Sequence, residues 1–191
     1  MQPNPVIAVV GLGKLGIPIA AVIADKGFTV VGVDIDEDVV EAINQRKSPI
    51  YEKGINELLE CGRLSATTDL YSAASMADVV IIIVPTPSNE DGVFSSEYVE
   101  DVCLDLAEVI GSDDVFRTIV VSSTVMPNTM DERIVPLLES KSGKKAGEDF
   151  GLCYSPFFVA LGSVIRDFAH PSFALIGAQD ARSALMLERF Y

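Results

Sequence analysis

VIAVVGLGKLGIPIAAVIADKGFTVVGVD, residues 6–34, reads as a strand, a glycine turn, a helix and a second strand in immediate succession. Val6–Val10 is an unbroken apolar run rich in β-branched residues, the pattern of a strand buried on both faces. It runs straight into Gly11-Leu12-Gly13-Lys14-Leu15-Gly16, a G-x-G-x-x-G between strand and helix. Each glycine answers a separate steric demand. Gly11 permits the tight turn, Gly13 lets the backbone approach a pyrophosphate, and Gly16 lets the helix pack on the strand. The helix start then offers unpaired N–H groups and the positive end of a dipole. Pro18 sits in the first turn, where a missing N–H costs little, and Lys26-Gly27 marks the end.

The second strand ends at Asp34, placed to accept hydrogen bonds from both hydroxyls of an adenosine ribose. Asp36, Glu37 and Asp38 follow as an N-cap and two first-turn acids. No Arg or Lys stands where a 2′-phosphate would lie. Together these features select NAD over NADP.

The same alternation continues down the chain. Strands are expected at 6–10, 28–34, 78–85, 118–123, 152–155 and 173–177, and helices near 14–26, 36–46, 54–61, 95–110, 128–140 and 179–190. This predicts an α/β fold of the doubly wound, Rossmann type: a mainly parallel sheet with helices on both faces. Segments 86–94 and 142–149 read as exposed loops. At 191 residues and 49% hydrophobic, the chain can bury one substantial core. The last helix reaches Tyr191 without a stop signal, so the chain is expected to be the first part of a longer one.

The net charge of −14 opposes nucleic-acid or anionic-membrane binding, so a phosphate ligand needs a site built from backbone. No apolar run reaches the ~18 residues of a membrane span, and the glycines interrupt any signal-peptide core. Cys61, Cys103 and Cys153 have no metal-ligand spacing and suit a reducing compartment, so a cytoplasmic location is expected and no metal site. His170 precedes Pro171 in a turn and reads as a surface residue.

Five further segments carry a resemblance: SPIYEKGINELL (48–59), ADVVIIIVPTP (77–87), SSTVMPNT (122–129), YSPFFVALGSVIRDF (154–168) and HPSFALIG (170–177). In this order they resemble the NAD-binding N-terminal domain of the UDP-glucose/GDP-mannose dehydrogenase family. The resemblance spans nearly all of 1–191, but only about the first half of a family member. It implies a nucleotide-sugar 6-dehydrogenase that takes a C6 alcohol to a carboxylate with two NAD molecules, through a cysteine thioester. The nucleotide sugar is the implied partner, in a full-length homodimer or larger assembly.

Residue by residue, the resemblance implies that Gly11, Leu12, Gly13, Lys14, Leu15 and Gly16 form the pyrophosphate loop and that Asp34 is the ribose acid. Pro85, Thr86 and Pro87 would lie over the nicotinamide-side ribose. Ser123 and Thr124 are implied to bind the cofactor as well. They belong to an S-T-V segment whose threonine helps hold the attacking water, which makes Thr124 also the catalytic candidate. Phe157, Phe158, Val159, Ala160 and Leu161 would face the substrate. Family members usually read N-P-E-F there, with the Glu as the base for thioester hydrolysis. Here Phe157 takes that place, and a phenyl ring accepts no proton. The family's catalytic Cys, Lys and Asn lie in a C-terminal half beyond this chain, and Cys153 does not match that nucleophile. Two other readings stand beside this one: the NAD domain of a β-hydroxyacid dehydrogenase, and a dinucleotide-binding module without turnover.

Overall fold

The computed structural model describes residues 4–90 and 92–191. In chain order the elements are β1 (Val6–Val10), α1 (Gly16–Asp25), β2 (Thr29–Val33), α2 (Glu37–Asn44), α3 (Ile55–Leu59), β3 (Leu64–Thr67), α4 (Leu70–Met76) and β4 (Val79–Ile82). There follow α5 (Glu97–Ser112), β5 (Thr118–Val121), α6 (Val135–Ser142), β6 (Gly151–Tyr154), α7 (Val164–Ala169), β7 (Gly177–Ala178) and α8 (Ala181–Phe190). One wide π-type segment, Met130–Ile134, runs directly into α6.

The seven strands form one sheet in the order β3-β2-β1-β4-β5-β6-β7. β1 pairs in parallel with both β2 and β4, so the chain reverses its winding direction at β1, the crevice where such sheets hold ligands. Among the strands of the described residues, β7 is the one that runs antiparallel, beside β6.

Alternate residues of each central strand enter opposite cores. Ile7, Val9, Ile81, Val120 and Cys153 pack beneath α1, α3, α7 and α8. Ala8, Val10, Val80, Ile82, Ile119 and Val121 pack beneath α4, α5 and α6. That double burial explains why these strands read as continuous apolar runs. Arg117 joins α4 to the foot of β5 although it is only 2% exposed. Its guanidinium donates to Ala74 O at 3.0 Å and Ser75 O at 2.9 Å, and forks onto Asp113 at 2.7 and 2.8 Å.

Three elements were not anticipated by periodicity: β3, α4 and α7. β3 is an edge strand with only Ala66 buried, so it lacks an apolar run. Its neighbour α4 did carry a signal: the Asp69 side chain caps it by accepting from Ser72 N at 3.0 Å. The strand expected at 173–177 is a correction. Only Gly177–Ala178 pairs with β6. Upstream, the Leu175 carbonyl accepts the Ser155 hydroxyl at 2.8 Å instead of a ladder N–H. Phe173 turns away to stack on Phe158, with ring centroids 4.5 Å apart.

Candidate functional site

The glycine loop leaves β1 at the C-terminal edge of the sheet and is held from three sides. Gly11 N donates to Val33 O at 2.8 Å, which fixes the loop to β2. Gly11 has φ +98°, and a Cβ there would lie 2.3 Å from Ile83 O, so only glycine lets the loop pass this close to the end of β4. A Cβ on Gly16 would lie 1.8 Å from Gly11 O, so the helix start is pressed against the turn. Gly13 differs: nothing lies within 4 Å of where its Cβ would be. Its bare face opens outward, beside the exposed Lys14 and the first turn of α1.

Leu12 and Leu15 divide between site and core. The Leu12 side chain is buried and fills the space above Gly32, where a Cβ would meet it at 2.8 Å. Its backbone N–H points the other way and donates to Asp34 Oδ2 at 2.6 Å. Asp34 Oδ1 accepts from Asp36 N at 3.0 Å. Asp36 caps α2 by accepting from Asp38 N and Val39 N, as its position before a helix suggested. Leu15, half-buried, packs against the core beneath α1.

Two residues that sequence reasoning passed over have unusual surroundings. Ile35, directly after Asp34, is 97% exposed at the ligand edge. The signal was an apolar residue inside the acidic run D-I-D-E-D. Glu52, in the S-P-I-Y-E-K-G segment, is only 6% exposed, beside a Tyr51 that is 95% exposed.

Further along the edge, β4 runs on into Pro85, Thr86 and Pro87, with Thr86 half-buried between two exposed prolines. Ser123 is buried beside this segment, and Thr124 stands exposed one residue later. The Ser123 hydroxyl accepts from Val84 N at 2.9 Å and donates to Val84 O at 2.8 Å. The structure therefore brings the glycine loop, Asp34, the 84–87 segment and Ser123–Thr124 to one edge.

The 157–161 segment follows β6 at the next strand end, joined to β5 where Ser155 N donates to Val121 O at 3.0 Å. Phe157 is half-buried, packs against the core beneath α1, and meets Phe168 edge-on with ring centroids 5.0 Å apart. Val159 packs likewise, whereas Phe158, Ala160 and Leu161 are exposed. The stretch is thus half core and half surface. Asp167 secures its turn: the carboxylate takes the Ser163 hydroxyl at 2.6 Å, the Arg166 guanidinium at 2.8 Å and Ala160 N at 3.2 Å. The Ser163 hydroxyl first, and Arg166 next, hold its carboxyl at about 2, well below the ordinary range.

Cys153 lies in β6, where burial first and Asp180 second push its thiol up to about 12. Such a thiol carries no thiolate at neutral pH and is no nucleophile there. His170 is exposed. Among the described residues, no helix is long and apolar enough to cross a membrane.

Together these parts define a dinucleotide-binding α/β domain: a glycine turn at the winding reversal, an acid just after β2, and an open backbone face at Gly13. Residues 6–191 match the model of the UDP-glucose/GDP-mannose dehydrogenase family, NAD binding domain, and the chain belongs to that family. It is 40% identical over 189 residues to GDP-mannose 6-dehydrogenase of Pseudomonas putida, covering 97% of this chain and 43% of that protein. To UDP-glucose 6-dehydrogenase AglM of Haloferax volcanii it is 36% identical over 180 residues, covering 93% of this chain and 42% of that one. The crystal structure of a ternary complex of GDP-mannose dehydrogenase from Pseudomonas aeruginosa superposes with a TM-score of 0.94 at 39% identity, over 97% of this chain and 43% of that chain. The chain thus spans under half the length of these relatives, and NAD is the cofactor of the domain it represents.

Proposed function

We propose that residues 1–191 form the NAD-binding half of a nucleotide-sugar 6-dehydrogenase, which oxidises the C6 alcohol of a GDP- or UDP-sugar to the carboxylate. The observation that carries this reading is the pairing of Gly13's open face with the Asp34 carboxylate, in a chain of this family. The residues fit the cofactor. The backbone of 13–16 and the start of α1 would receive the pyrophosphate, with N–H groups the helix cannot itself satisfy. Asp34 would accept the ribose hydroxyls, while the exposed Ile35 offers an apolar face to the adenine ring. Pro85, Thr86 and Pro87 would bound the nicotinamide-side ribose, and Thr124 would hold water at the reacting end. When bound, NAD supplies the hydride acceptor for each of the two oxidations.

The segment 157–161 would form an apolar wall beside the sugar. It brings no carboxylate, so base assistance for releasing the acid must come from elsewhere in the full-length protein. Cys153 and Cys103 are buried with thiols raised to about 12. Cys61 packs against the core just before the start of β3, at the edge opposite the glycine loop. No cysteine of this half thus stands at the ligand edge to capture an aldehyde. NAD should therefore bind to the 191-residue chain without turnover. Absorbance of NADH after mixing the chain with NAD and GDP-mannose or UDP-glucose tests this: a flat trace is expected, and sustained NADH formation would place the chemistry within these residues.

A further inference from the structure

The β4–β5 ladder ends in register at Ile82↔Val121. Beyond it, both Ser122 N and Ser123 N converge on Ile82 O, at 2.9 and 3.2 Å. The chain after β4 then enters Val84-Pro85-Thr86-Pro87, in which two of four residues have no N–H to donate. A regular ladder cannot continue there. The Ser123 hydroxyl replaces it, accepting from Val84 N at 2.9 Å and donating to Val84 O at 2.8 Å. A single side chain thus satisfies both polar groups of one residue of the neighbouring strand end, and Ser123 is only 6% exposed. The far end of the segment is tied separately, by Ser95 N donating to Pro87 O at 2.9 Å. Thr86 is suspended between these two anchors, and Thr124 leaves from the residue that forms the first of them.

We infer that Ser123 is a positioning residue for the nicotinamide half of the cofactor. Its hydroxyl sets the place of Pro85–Thr86 and, through its own backbone, the place of Thr124; it does not itself contact the cofactor. This inference rests on the reading of the site given above. It differs from a purely structural role in one measurable respect. The adenosine half would sit on the glycine loop and Asp34, whose hydrogen bonds run to β2 and its end (Gly11 N to Val33 O, Leu12 N to Asp34). The loop meets Ile83 and Val84 by packing alone and, among the described residues, makes no hydrogen bond to Val84. Loss of the Ser123 hydroxyl should therefore weaken binding of NAD and spare binding of ADP.

Calorimetric titration of the chain with NAD and with ADP provides the test. Ser123→Ala should raise the NAD dissociation constant roughly tenfold, because losing both hydrogen bonds to Val84 releases the segment that would meet the nicotinamide half. The ADP constant should stay within about twofold of the parent. Ser123→Thr, which keeps the hydroxyl, should restore NAD binding. If Ser123→Ala weakens both ligands alike, or neither, the inference is wrong. Should Ser123→Ala not fold, Ser123→Cys keeps the shape while weakening both hydrogen bonds, and it must show the same selective loss; an unselective result overturns the inference. A parent chain that binds ADP and NAD equally well would instead overturn the underlying placement of the nicotinamide half.

Discussion

The Asp34 carboxylate accepts the backbone N–H of Leu12 at 2.6 Å, so the acid at the end of β2 also fastens the glycine loop. The other oxygen accepts Asp36 N at 3.0 Å, so the carboxylate holds one backbone N–H with each oxygen and keeps further lone pairs for a ligand at the sheet edge. Replacing it should affect both tasks. Asp34→Ala should weaken NAD binding by about 1–3 kcal/mol, as expected for a lost hydrogen bond to a charged group. It should also lower the melting temperature, because the Leu12 N–H loses its partner. Calorimetry and thermal melting read the two effects separately, and unchanged NAD affinity would remove Asp34 from the site.

Ile35 is 97% exposed, which gives it no role in the core. Ile35→Ser should therefore leave the melting temperature unchanged. If its side chain supports the adenine ring, the dissociation constants of NAD and ADP should rise together, by roughly three- to tenfold for an apolar contact of this size. A change in NAD alone would contradict that placement.

Asp167 gives the 157–161 turn a pH dependence. Its carboxyl is held at about 2 in the folded chain, below the ordinary ~3.9 of an unfolded Asp. A depressed group stabilises the fold fully above the unfolded value, and that contribution disappears as pH falls through the folded one. Asp167→Asn should thus melt lower than the parent at pH 6. The gap should narrow between pH 4 and pH 2. A constant gap down to pH 2 would mean that the Ser163 and Arg166 contacts do not favour the ionised form.

Phe157 packs against the core beneath α1 and meets Phe168 edge-on. Phe157→Ala should destabilise the chain by about 1–3 kcal/mol, less than a fully buried ring because the side chain is only half-buried. Phe157→Glu should cost at least as much, since a carboxylate there loses water without gaining a partner. Chemical denaturation measures both. A Phe157→Glu chain as stable as the parent would show that the ring is surface and not support.

The legible part of the fold was the part with both faces buried. β1, β2, β4, β5 and β6 announce themselves as apolar runs because helices cover them on each side. Gly11 and Gly16 were legible for the same kind of reason: each steric demand leaves a glycine in the sequence, whereas Gly13 meets no protein atom and answers only to the proposed pyrophosphate. Asp34 was placed correctly at the end of β2, but its bond to Leu12 could not be read from spacing. β3 was missed because an edge strand with one buried residue has no periodic signature. The strand at 173–177 was overextended because Phe173 and Leu175 are apolar yet exposed, and an apolar run then looks like a buried strand. Nothing in the sequence marked Ser123 as a clamp, since the relation to Val84 exists only once two distant strand ends lie side by side.

Gly13 separates cofactor binding from folding most directly. A Cβ at Gly16 would strike Gly11 O at 1.8 Å, so Gly16→Ala should damage the fold itself. At Gly13 a Cβ meets nothing within 4 Å, so Gly13→Val should fold and melt like the parent. The decisive measurement is calorimetric titration of NAD into the parent chain and Gly13→Val. Pyrophosphate binding at this loop requires saturable binding of one NAD by the parent, and at least a roughly tenfold weaker constant for a variant of unchanged melting temperature. Equal affinities in the two chains, or no binding by the parent, would contradict it.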